Sequence, residues 1–200
     1  MTRVGVLAIQ GDFAAHAKAL ERAGAQAVLV RRAKELDDVA ALVLPGGEST
    51  TIAKGMERLG LYEPLGSFAE SGRPILGTCA GAILLAARVE NHPVASLGLV
   101  DVTAVRNAYG TQVDSFVAGV DPGGAPGLDA LRCVFIRAPR LRDPGPAVEV
   151  LARVDGEPVL VRQGKRLAAT FHPELTDDPR VHRLLLSLVE ERDARDASPR

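Results

Sequence analysis

Four short apolar runs, most of them followed by a helix-forming stretch, constrain this chain more than any other feature of its sequence. Val4 to Ile9 is apolar over the length of a strand, and the amphipathic stretch from Phe13 to Ala23 that follows is closed by Gly24, where a helix would stop. Ala27 to Val30 and Ala41 to Leu44 repeat the short run. Ser49 is placed to cap a helix over Thr50 to Leu59, and a further helix is expected to reach Ser71 before Gly72. Pro74-Ile75-Leu76 comes next, and then Ala80 to Arg88, rich in Ala and Leu and therefore helical. This alternation predicts a parallel sheet with helices on its faces.

Beyond about residue 95 the pattern changes to runs at Leu99 to Val105, Val113 to Val117, Leu131 to Ile136, Val148 to Val154, Pro158 to Arg162 and Leu167 to Phe171, which read mainly as strands. Gly and Pro crowd Asp121 to Gly127 and Asp143 to Pro146, as in surface turns rather than a domain linker. Asp178-Pro179 has the form of a cap followed by proline at the first helical position, for a final helix through about Arg192. A chain of 200 residues that is 46% hydrophobic fits one core. Residues 1–192 are therefore expected to form a single domain, with 193–200 a frayed polar tail.

Charge and segment lengths narrow the class of function. Lys plus Arg number 24 against 25 Asp plus Glu, so no basic field draws nucleic acid or an anionic membrane. The apolar run near the start is too short for a signal-peptide core or a membrane span, which points to a cytoplasmic protein. The two cysteines, Cys79 and Cys133, form no spaced cluster of the kind that makes disulfide frameworks or zinc sites. Cys133 falls inside a strand-like run, where an inert buried thiol is expected.

Cys79 sits in Gly77-Thr78-Cys79-Ala80-Gly81, between a short apolar strand and a helix, the context of a nucleophile elbow. The helix N-terminus would favour the thiolate. Taken alone, the five residues equally describe a tight turn holding a small buried cysteine. In open parallel sheets, ligands gather where strands end and helices begin. Gln10-Gly11, Pro45-Gly46-Gly47-Glu48-Ser49 and the elbow would all lie along that edge. Gly47 suits a backbone N–H aimed at a developing oxyanion, with the Ala80 N–H as second donor. An ordinary turn with a helix cap explains the same loop when it is read by itself.

A thiolate nucleophile needs a proton carrier, and the chain has four histidines. His16 and His182 fall on expected helices and His92 in a polar turn, each with a surface or packing role. His172 ends the run Leu167 to Phe171 and is followed by Pro173 and Glu174. Residues i and i+2 of an extended segment share a side, so Glu174 is placed to contact the imidazole and complete a Cys79, His172, Glu174 triad.

The elbow GTCAG, the loop PGGEST and the terminal FHPE resemble the class I glutamine amidotransferases. In order and spacing, LAIQGDF, PGGESTTI, GTCAGAILLA, RNAYGTQVDSF, VFIRAP and FHPELTDD are similar to the glutaminase subunits of pyridoxal 5′-phosphate synthases. Tyr109, Thr111 and the 121–127 stretch depart from that pattern without touching the triad. The resemblance implies an α/β fold, a three-layer sandwich with a flavodoxin-like parallel core and additional antiparallel strands. It implies L-glutamine held by Gly47, Glu48, Ser49, Arg106, Ile136 and Arg137. The expected reaction uses no metal and no organic cofactor: Cys79 attacks the side-chain amide, ammonia leaves, and water releases glutamate from a thioester.

The ammonia is expected to pass to a synthase subunit that builds pyridoxal 5′-phosphate from ribose 5-phosphate or ribulose 5-phosphate and glyceraldehyde 3-phosphate. Gln10 is expected to link the site to that partner, because the matching motif lies near the partner interface in the family. A role limited to satisfying backbone groups beside the first strand also fits Gln10. A glutaminase of another pathway, such as histidine biosynthesis, a γ-glutamyl hydrolase, or a silent binding subunit stand as the alternatives.

Overall fold

The computed structural model describes residues 1–106, 115–121 and 123–196, the last five without their side chains. The alternation in the first half of the chain becomes β1 (Arg3–Leu7), α1 (Phe13–Ala23), β2 (Gln26–Val30), β3 (Ala41–Leu44), α2 (Ser49–Arg58), α3 (Tyr62–Glu70), β4 (Ile75–Thr78) and α4 (Ala80–Leu85). The second half supplies β5 (Ala86–Glu90), β6 (Val100–Val105), β7 (Phe116–Gly119), β8 (Arg132–Phe135), β9 (Arg140–Arg142), β10 (Glu149–Val154), β11 (Glu157–Gln163), β12 (Arg166–Ala169) and α5 (Arg180–Asp196).

One seven-stranded sheet runs β10-β11-β12-β4-β3-β1-β2. Its five strands from β12 to β2 are parallel, and β11 and β10 extend it antiparallel. Side chains alternate across the sheet because the strand period is two. In β3, Leu42 and Leu44 pack with α2, α3 and α4, whereas Ala41 and Val43 pack on the other face with Leu20 of α1 and Leu185 and Leu188 of α5. Both faces are covered, which is why these runs are continuously apolar. The three-layer expectation therefore holds, with small additional sheets β5-β6-β9 and β7-β8 beside it.

Four parallel strands deliver the expected site loops to one edge. β1 ends before Gln10, β3 before Gly46, β4 before Cys79 and β12 before His172. The strand order β2-β1-β3-β4 reverses direction between β1 and β3, the place where open α/β sheets leave a crevice.

Several boundaries differ from expectation. The helix expected from Ala80 to Arg88 stops at Leu85, because Ala86–Glu90 leaves as β5 and pairs with β6. Glu48, not Ser49, caps α2, its carboxylate accepting the Thr51 N–H at 2.8 Å, while Ser49 begins the helix and is buried. Asp178 does cap α5, accepting from the Arg180 N–H at 3.0 Å, but the helix continues to Asp196, past the expected end and into the expected tail. Residues 197–200 lie outside the described residues, as do Tyr109, Thr111 and the start of the run expected from Val113.

Candidate active site

The elbow forms because glycines flank the cysteine. A Cβ on Gly77 would stand 2.5 Å from the Gly81 carbonyl oxygen, and one on Gly81 would overlap the Leu44 carbonyl, so β4 and α4 can turn this tightly only with glycine at both places. Cys79 itself takes φ 48 and ψ −104, a strained conformation that points to function. Its N–H donates to the Ala169 carbonyl at 2.8 Å, pinning Cys79 to the end of β12. Ala80, first in its helix, has no intrahelical acceptor for its own N–H.

His172 follows β12 after two residues and is held by its N–H, which donates to the Val134 carbonyl of β8 at 2.8 Å. Its Nδ1 lies 2.7 Å from Glu174 Oε1, and the Glu174 side chain is fully buried. The i, i+2 relation expected from the sequence is thus realised, in a short 3-10 turn over Pro173–Leu175 rather than a strand. Burial works to lower the His172 pKa, but Cys79 and Glu174 outweigh it and carry the imidazole to about 10. His172 Nε2 is buried without a hydrogen-bond partner among the described residues. An imidazole this basic, anchored on one side by a carboxylate, is suited to take the proton of a neighbouring thiol.

A cavity of about 500 Å³ opens over these groups. Every residue expected at the site lines it except Glu174: Cys79 and His172, the loop Gly47, Glu48 and Ser49, Ala80, Arg106, Ile136, Arg137 and Gln10. Glu174 stands behind His172 instead. The Arg106 guanidinium reaches Glu48 Oε1 and Thr50 Oγ1, each at 3.2 Å, and the His92 carbonyl at 2.5 Å. Burial would raise the Glu48 pKa, but N–H donors from Thr51 and Thr50 and the nearby Arg106 hold it below the usual carboxylate range. Gln10 Oε1 accepts the Glu48 N–H at 2.8 Å, so Gln10 ties the first strand's loop to the glycine loop. Ile136 offers its carbonyl 3.9 Å from the Cys79 sulfur.

Cys133 is fully buried, and its thiol pKa is pushed up to about 12 by that burial, as the inert reading expects. His92 is an exposed turn residue. His16 and His182 take the packing reading rather than the surface one. Both are fully buried, hydrogen-bonded to each other at 3.0 Å, and His16 Nε2 approaches Glu174 Oε2 to 3.3 Å. The signal for His16 was its place on the inward stripe of α1 with Phe13 and Leu20; for His182, 166 residues away, no local signal exists. Among the described residues no group of three or more His, Cys, Asp or Glu side chains is placed to hold a metal ion, and no helix is long and apolar enough to cross a membrane.

The sequence profile of the SNO glutamine amidotransferase family matches residues 6–191. Over 193 residues the chain is 53% identical to the pyridoxal 5′-phosphate synthase subunit PdxT of Solibacter usitatus, covering 94% of this chain and 99% of that one. It is 45% identical over 195 residues to the subunit of the same name from Shouchella clausii, covering 98% and 99%. A crystal structure of a glutamine amidotransferase superposes with TM-score 0.88 at 48% identity, covering 94% of this chain and 98% of that one. PurLQS of Thermotoga maritima shares the fold, with TM-score 0.69 at 17% identity and coverage of 96% and 98%.

Proposed function

This chain belongs to the SNO glutamine amidotransferase family, and from that premise we propose that its cavity hydrolyses L-glutamine through Cys79, His172 and Glu174. It is a glutamine hydrolase, and the ammonia it frees serves the synthase subunit of a pyridoxal 5′-phosphate synthase. The observation that carries the assignment of roles is His172, anchored by Glu174 at 2.7 Å and raised to about 10 by its two neighbours, beside a cysteine on a strained elbow.

In the reaction, His172 takes the Cys79 proton as the sulfur attacks the side-chain amide carbon of glutamine. The carbonyl π pair moves onto oxygen, where the Gly47 and Ala80 N–H groups receive the charge. The C–N bond then breaks as His172 gives its proton to the departing nitrogen, leaving ammonia and a γ-glutamyl thioester. Water loses a proton to His172, attacks the same carbon, and expels the Cys79 sulfur, which takes that proton back from His172 as glutamate is freed. Glu174 orients the imidazole and balances its charge throughout. Glu48, ionised at its helix cap, suits the substrate ammonium, and Arg106 and Arg137 suit the carboxylate, with Ser49 and the Ile136 backbone closing the site.

Ammonia released without a consumer is lost, so the synthase subunit is assigned control of the rate. Its path to the site runs through Gln10, whose bond to the Glu48 N–H sets the position of the glycine loop. A nucleophilic thiol also calls for a reducing compartment, which supports a cytoplasmic location. The experiment is steady-state ammonia release by the chain with and without its synthase subunit, for wild type and Gln10→Ala. Activation through kcat that Gln10→Ala blunts supports the reading. Full activity of the isolated chain rejects partner control.

A further inference from the structure

Glu174 has two oxygens and only one is accounted for by His172. Oε1 accepts from His172 Nδ1 at 2.7 Å; Oε2 has no hydrogen bond of good geometry among the described residues, although the side chain is fully buried. A carboxylate oxygen left so is costly unless a positive dipole faces it. The group that faces it is His16, whose Nε2 stands 3.3 Å from Oε2 and 3.0 Å from Thr78 Oγ1. His16 Nδ1 lies 3.0 Å from His182 Nε2.

The carboxylate beside His16 favours one of its two tautomers. Burial lowers the His16 pKa, and the nearby His182 and His172 lower it further, so the ring is neutral and carries a single N–H. A lone pair on Nε2 would face an ionised carboxylate oxygen at 3.3 Å, whereas an N–H there is attracted to it. With its N–H on Nε2, His16 donates to Thr78 Oγ1 beside that oxygen, and Nδ1 accepts the Nε2–H of His182. We propose that His16 is a positioning residue of the triad: locked by His182 in its Nε2–H form, it faces Glu174 and Thr78 and holds the Glu174 carboxylate aimed at His172. The inference rests on the triad reading above and extends it from one loop to the helices α1 and α5.

During turnover His172 gains and loses a proton twice while Glu174 must stay ionised. Without His16 no N–H dipole faces Oε2, and the carboxylate loses the group that favours its charge and its aim at the imidazole. The acid limb of the activity profile therefore moves toward neutrality. Among the described residues, His172 and His16 stand against this carboxylate, Arg22, Arg132, Asp177 and Asp178 line the pocket that it also borders, and His182 lies behind His16. Arg22 donates to the Thr176 carbonyl at 3.0 Å.

The test is the pH profile of glutamate release, measured in complex with the synthase subunit, for wild type, His16→Leu, His16→Gln and His182→Leu. The glutamine amide nitrogen reaches where the imidazole Nε2 lies, so His16→Gln keeps the donor and His16→Leu removes it. His16→Leu is expected to lower kcat by about tenfold to a hundredfold and to raise the acid limb by about one unit, less than loss of a triad member. KM for glutamine should hold, because His16 does not line the cavity. His16→Gln should restore both kcat and limb. Should His16→Leu not fold by circular dichroism, His182→Leu carries the test, since it unlocks the tautomer and should shift the limb in the same direction. Folded variants that keep the wild-type limb, or His16→Leu and His16→Gln equally impaired at an unmoved limb, overturn the proposal and leave a packing role. Wild type without glutamate release, or Cys79→Ala with it, overturns the triad reading itself.

Discussion

Gly46 is the position where the smallest added group should do most damage to catalysis. Its φ lies outside the left-handed region, so alanine brings no backbone strain, yet a Cβ there would stand 2.5 Å from His172 Cε1, 3.0 Å from Nδ1 and 3.4 Å from Cys79 Cβ. Ordinary contact begins near 3.4 Å, so the imidazole or the loop must retreat by about 0.9 Å. The ring has little room to do so, because Nδ1 is held by Glu174 at 2.7 Å and the backbone N–H by Val134 at 2.8 Å. Misplacing a reacting group by about 1 Å costs about a hundredfold in rate, or about 2.7 kcal/mol of barrier. Gly46→Ala is therefore expected to lower kcat for glutamate release about a hundredfold at saturating glutamine, with a far smaller change in KM. Gly66→Ala, where a Cβ meets nothing within 4 Å, serves as the control and should keep full activity. The assay is glutamate release with the synthase subunit present, after circular dichroism has confirmed folding. A folded Gly46→Ala that turns over at the wild-type rate would refute the packing of this loop against the dyad.

Thiol labelling of the folded protein should modify Cys79, which lines the cavity, well before Cys133, which is sealed in the core with its pKa pushed up to about 12; mass mapping of the alkylated peptides reads the order. Because the folded His172 pKa is raised to about 10 from 6.5, its contribution to stability is fully present below 6.5 and is lost as pH rises to about 10. The stability difference between wild type and His172→Gln, from urea unfolding, should accordingly shrink across that window. His182 behaves oppositely: burial lowers its pKa to about 4, so the stability it allows is present above 6.5 and is lost as pH falls toward 4, and His182→Gln should flatten that acid limb of unfolding.

The site was legible in the sequence where its chemistry is local. Gly77 to Gly81, Gly46-Gly47 and His172-Pro173-Glu174 are short patterns whose geometry follows from strand ends and glycine positions, and the parallel sheet brings them together without further instruction. Boundaries were less legible where distant pairing decides them. Ala80 to Arg88 has helical composition throughout, yet β6, not the local sequence, draws Ala86–Glu90 into a strand. Arg140–Arg142 has only one apolar residue and no period, so its pairing as β9 is written in β6 as much as in itself. Glu48 takes the cap expected of Ser49 because the helix begins one residue earlier, at Ser49, and the Glu48 carboxylate accepts the Thr51 N–H while its other oxygen meets Arg106. The contact between His16 and His182 depends on α1 and α5 packing on the same sheet face, which no window of sequence contains.

The central claim is that Cys79 is the atom that attacks glutamine. Glutamate release by wild type and Cys79→Ala, each folded and each saturated with the synthase subunit, tests it most directly. The variant should lose at least about a thousandfold in kcat, since among the described residues Cys79 is the only thiol that lines the cavity with His172. Release by Cys79→Ala at the wild-type rate would contradict it.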